Sequence, residues 1–156
     1  MAAFGSIAAN SNFGQMTGTA AADDAAAGNI GEQVISAVGL GSGPSLTSPN
    51  PSNVTSIALT AGDWDITGQV VFEFTSATQS GDSTASLSGV SATLKGDSTD
   101  GYNGQRLTTT TCKQTIALPA QRVTTASSPT MYLVAQAIFS AGSCKASGFI
   151  RARRIR

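Results

Sequence analysis

The chain reads as an all-β protein: an antiparallel β-sandwich or jelly-roll knob carried on an extended N-terminal arm. Three observations predict this. Short β-compatible stretches recur at intervals of about 10–15 residues, giving about eight strands separated by Gly, Pro, Asn and Ser turn signals. No segment carries a sustained helical period of helix length. Charged residues make up only 12% of the chain, and Ser, Thr, Ala and Gly fill the space, a composition that suits flat sheet surfaces in an assembly component. At 156 residues the chain fits one domain. We divide it into an arm over 1–30 and a β-sandwich over 31–156.

The arm is rich in Ala, Gly, Ser, Thr and Asn, and "GTAAADDAAAG" is close to low complexity. It reads as a segment that docks on a partner, with a short helical turn near Ala20 to Ala27 as the competing reading. "EQVISAV" is a short strand, and "GLGSGPSLTSPNPSN" is a loop punctuated by three prolines. "VTSIALT" is the next strand, and "AGD" turns it into "WDITGQVVFEF". There Trp64, Ile66, Gly68, Val70, Phe72 and Phe74 share one face, with Asp63, Asp65, Thr67, Gln69 and Glu73 on the other. Gly68 marks a bulge or a close backbone approach. "SATQSGDST" reads as a turn, "ASLSGVSATL" as a weaker strand and "KGDSTDGYNGQ" as a polar loop. "RLTTTTCKQTIALP" supplies one or two strands, and "QRVTT" a short one. "MYLVAQAIFS" is apolar on both faces, as a covered central strand is. A short turn joins it to "KASGFIRARRIR", and the two are expected to form a hairpin.

Charge is unevenly placed. Nine acids and one base precede residue 101, and eight bases and no acid follow it. Four of the last six residues are arginines, which raises the alternatives of a basic tail or a strand. Strand alternation puts Lys145, Phe149, Arg151, Arg153 and Ile155 on one face and Ala146, Ile150, Ala152 and Arg154 on the other. Interleaved Phe and Ile favour an ordered strand over a nucleic-acid tail. Arg151, Arg153 and Arg154 are therefore read as partners for Asp63, Asp65 and Glu73, in the same chain or in a symmetry mate.

Much chemistry is missing. The chain has no histidine, which removes the usual general base and the commonest zinc ligand. "GLGSG" lacks the lysine of a phosphate-binding loop. Asp63 and Asp65 resemble a carboxylate pair only by proximity, with nothing to hold one protonated. We expect no enzymatic activity, no cofactor and no metal site. Asp97, Asp100 and Asn103 gather oxygen ligands without calcium-loop spacing, so a polar loop is the favoured reading. Trp64 belongs to the core. Tyr102, read at a loop tip with Asp97, Asp100 and Asn103, is the candidate for contacting a host surface glycan. Cys112 and Cys144 lack metal or redox spacing, and free thiols and a disulfide within or between chains both stay open. No apolar run is long enough to span a bilayer. The N-terminal segment lacks the basic and apolar regions of a secretory signal, so synthesis is expected in the cytoplasm.

Three blocks carry a resemblance: "GNIGEQVISAV", "NVTSIALTAGDWDITGQVVF" and "YLVAQAIFSAGSCKASGFIRARRIR". In this order they resemble a family of tailed-bacteriophage virion structural proteins, of the tail-fibre or appendage type. Residues 77–111 depart from that pattern, as do the two cysteines. The resemblance implies a non-enzymatic component of the virion exterior, made in the host bacterial cytoplasm, with the arm bound to other virion proteins. It also implies a homotrimer, for which Asp63, Asp65, Glu73, Arg151, Arg153 and Arg154 are the candidate subunit-contact charges. A capsid decoration or collar protein is the alternative. Neither nucleic acid nor membrane insertion is expected.

Overall fold

The structure is a computed structural model that describes residues 24–96, 101–106 and 111–156. Residues 1–23 of the arm lie outside the described residues. Residues 24–32 form successive turns without helix.

Among the described residues, nine strands make two antiparallel sheets: β1 Gln33–Val38, β2 Ser45–Leu46, β3 Ser52–Ala58, β4 Gly62–Thr75, β5 Gln79–Ser88, β6 Tyr102–Gln105, β7 Cys112–Thr125, β8 Thr130–Phe139 and β9 Ser143–Arg154. The first sheet has the order β1-β9-β4-β7, with β2 continuing the line of β1 along β9. The second has the order β3-β8-β5-β6. The pairings β1/β2 with β9, β3 with β8, β4 with β7 and β5 with β6 describe one long antiparallel ribbon with β5 and β6 at its tip. Rolled up, the ribbon closes through β4 with β9 and β5 with β8. This is jelly-roll connectivity.

The core lies between the sheets. Trp64, Ile66, Val70, Phe72 and Phe74 of β4 and Ala146, Ile150 and Ala152 of β9 face Leu87 of β5 and Met131, Leu133, Ala135 and Ala137 of β8. Fully burying each large aliphatic or Phe side chain is worth about 1.5–3 kcal/mol. The Phe74 ring meets Phe139 edge to face at 6.3 Å, tying the sheets at one end. Gly68 does both things its sequence position suggests. Its missing side chain leaves room for Leu87 and Leu133, and it adjoins a bulge in which Thr67 opposes both Pro119 and Ala120.

Several boundaries differ from expectation. β8 and β9 do not form a hairpin: they lie in different sheets, because β9 finds its ladder partners in β1, β2 and β4. β5 begins earlier than expected, at Gln79, and ends at Ser88. Residues 89–96 then leave the ladder and cross the outer face of the second sheet. There Asn53 donates to Ser91 and accepts from the Ala92 amide, and Ser86 accepts from the Lys95 amide. That cover buries Ser86, Ser88 and Val134 on the outer side of the sheet. "TIALP" and "QRVTT" are one continuous strand, β7, with the bulge accommodating Pro119. The stretch read as a polar loop contains β6.

Gly148 sits in β9 at φ +154°, and a Cβ there would overlap the Gln69 carbonyl of β4. Gly148→Ala should therefore destabilise the fold by at least about 2 kcal/mol. Gly89→Ala, in open space, should stay within about 0.5 kcal/mol. Equilibrium urea unfolding of both variants checks this contrast.

Candidate functional site: the arginine face of the first sheet

Alternation along β9 divides its arginines between two surfaces. Arg154 faces inward and is 5% exposed, while Arg151 and Arg153 are exposed on the outer face.

A buried guanidinium is tolerable only if it is paired and its donors are used. Arg154 Nε donates to Glu32 Oε2 at 2.9 Å, one terminal nitrogen donates to the Ala61 carbonyl at 2.8 Å, and the other to the Thr60 hydroxyl. The guanidinium stacks over Trp64 at 4.3 Å from the ring centre, and the Trp64 indole donates to the Thr60 carbonyl at 3.0 Å. Glu32 also accepts the Gly28 amide at 2.7 Å. That bond, followed by the one from Arg154, holds its carboxyl below the usual range against the opposing effect of burial. Backbone bonds from Arg154 to Glu32 and from Gly31 to Arg154, both 2.9 Å, complete the clamp.

A second clamp lies on the other side of the same strand ends. Asp63 is buried beneath a bidentate contact from Arg122, the Thr124 hydroxyl at 3.0 Å and Arg156 at 3.3 Å. The chain terminus is held by Asp63 accepting Arg156 and by the Ile155 amide donating to the Asp63 carbonyl at 2.9 Å.

Of the six charges singled out in the sequence, three are thus satisfied within the chain: Asp63 as above, Arg154 by Glu32, and Glu73 by Lys113 at 3.1 Å. Asp65, Arg151 and Arg153 come together on the outer face. Register places Asp65 beside Arg153 and Thr67 beside Arg151, with Gln33 and Ile35 of β1 on the opposite flank of β9. Gln33, Asp65, Thr67, Arg151 and Arg153 line an open groove of about 240 Å³. Among the described residues, none of these three charged side chains forms an ion pair. Sequence reasoning missed Glu32, Arg122, Gln33 and Thr67. The inward phase of Arg154 was a usable signal, because a buried guanidinium demands a carboxylate partner.

The other candidates fall elsewhere. Asp97 and Asp100 lie outside the described residues. Tyr102 and Asn103 belong to β6 and not to a loop tip, and the Asn103 amide donates to the Ala117 carbonyl of β7, joining the two sheets at their edge. Cys112 and Cys144 are free and flank Phe74 on adjacent strands. Two strand spacings separate them by about 9.6 Å, beyond the roughly 7 Å between Cα atoms that a disulfide spans. Of the readings left open, free thiols are the one found, and a link between these two within the chain lies beyond that reach. Burial of Cys144 pushes its thiol up to about 12.

Fold and site define an all-β jelly-roll module with a charged groove on one sheet face. No protein-family model, no curated protein and no solved structure matches the chain.

Asp63 carries a pH dependence. The Arg122 hydrogen bonds, opposed by burial and helped by Thr124 and the charges of Arg122 and Arg156, lower its carboxyl from 3.8 to about 2. Because the folded value lies below the unfolded one, its contribution is complete above about pH 4 and is lost as pH falls toward 2. Asp63→Asn should be less stable than the wild type at pH 7, and the difference should narrow between about pH 4 and pH 2. Urea midpoints measured across that range test this, and a constant difference would contradict it.

Proposed function

We propose that the chain is a non-enzymatic structural subunit of the tailed-bacteriophage virion exterior, a jelly-roll knob that assembles as a homotrimer. Residues 1–30 attach it to other virion proteins. The observation that carries this reading is where the resembling blocks fall. The "GDWDITGQVVF" block is β4 and the "GFIRARRIR" block is β9, and they pair residue by residue from Trp64 with Arg154 to Thr75 with Ser143. The resemblance therefore rests on one physical unit at the centre of the first sheet. Jelly rolls also recur in viral capsid and lectin domains, a likeness at the level of fold alone.

Self-assembly is supported by β1. Among the described residues it is the edge of its sheet, and it carries neither charge nor proline. Edges without such blunting devices are templates for pairing with another chain.

Sedimentation equilibrium of the full chain should return three times its 15.6 kDa mass, and antibodies to the knob should label neck or tail of particles encoding it. A monomer at all concentrations would overturn the trimer. Labelling over the capsid lattice would select the decoration reading, and particles lacking the chain would overturn the virion assignment.

A further inference from the structure

We infer that the groove lined by Gln33, Asp65, Thr67, Arg151 and Arg153 binds an acidic saccharide, a carboxylated sugar within a longer glycan. The inference rests on the reading of the knob as a part of the virion exterior and names the ligand class of its outer face. It also moves the glycan contact from the segment around Tyr102, whose side chain lies on β6, to the opposite sheet.

The argument begins with unused charge. Arg151 and Arg153 are two residues apart on one face of β9, about 6.8 Å along the strand. Cross-strand neighbours of Arg151 are Ile35 and Thr67, neither of which can neutralise it. Planar guanidiniums favour carboxylates in bidentate geometry. Asp65, Thr67 and Gln33 add an acceptor carboxylate, a hydroxyl and an amide within the same groove, groups that match sugar hydroxyls as donors and acceptors. Apolar contact is present on the same face. Ile35 is exposed opposite Arg151, and Phe149, half-buried, precedes Arg151 by two residues on β9. Both offer a surface for the C–H face of a pyranose.

The balance of charge discriminates among anions. The lining carries one positive charge in excess, with Asp65 directly across from Arg153. A polyphosphate or nucleic-acid backbone would meet that carboxylate and find too few cations to neutralise successive phosphates. A single carboxylate amid hydroxyls suits the site. The supporting elements are the two central strands β9 and β4 and the adjoining strand β1, so the backbone of the groove needs no ordering on binding.

The test uses the full chain with two probes, trigalacturonate and sialyllactose, against neutral galactotriose, followed by calorimetry and amide shift perturbation. At least one acidic probe should bind with Kd at or below about 1 mM, shifting Gln33, Thr67 and Arg151. Arg151→Gln should weaken that binding roughly tenfold to a hundredfold, whereas Lys145→Gln, farther along the same strand face, should leave it unchanged. Binding by neither acidic probe, equal binding of galactotriose, or shifts confined to other residues would overturn the inference. So would acetate alone binding as tightly as the acidic trisaccharides. Shift mapping on the wild type decides the matter even if Arg151→Gln fails to fold. Failure here would leave sedimentation mass and particle labelling untouched, so it is distinguishable from failure of the virion reading.

Discussion

Burial of Arg154 is the constraint around which the described structure is arranged. Strand alternation in β9 turns this guanidinium inward, where an unpaired charge would cost several kcal/mol. The cost is offset by drawing three separate segments to one point: the turn at Gly28–Glu32, the Thr60–Trp64 corner and the C-terminal strand itself. These segments are far apart in sequence, so the contact sets register more than it adds net stability. A one-residue slip of β9 would place Arg151 and Arg153 in the core and Ile150 and Ala152 in solvent.

That constraint also explains why the outer face is free for other work. Asp63, Glu73 and Glu32 are engaged within the chain, and among the described residues the charges of β4 and β9 without an ion pair are Lys145 and the three that line the groove. One arginine-rich strand thus performs two roles through a period of two: even positions close the fold, and odd positions present chemistry to solvent. The jelly-roll connectivity gives this arrangement rigidity, because β9 sits between β1 and β4 instead of hanging at an edge.

The all-β class, the two faces of β4 and the alternation of β9 were legible because each follows from a local period of two. The central position of β8 was legible from its apolar character on both faces. The partner of β9 was not: a short turn suggests a hairpin, but "SAG" connects strands in opposite sheets, and nothing local records that β9 prefers the ladders of β1, β2 and β4. β6 escaped notice because "YNGQ" has turn residues and owes its strand state to pairing with Ser83–Ser86. Likewise the sequence places Asp63 on the polar face of β4; its burial depends on Arg122, 59 residues away, whose reach across β7 is a tertiary fact. Candidate charges could be named from sequence, but their sorting into internal clamps and an open groove required the register.

Native-state amide hydrogen exchange across Ser143–Arg154 tests the central claim most directly. The account predicts that the amides of β9 bonded into β4 and β1, up to Arg154, exchange only through global unfolding, at the same free energy as those of Ile66–Phe72. Exchange of Arg151–Arg154 by local fraying, well ahead of β4, would contradict it.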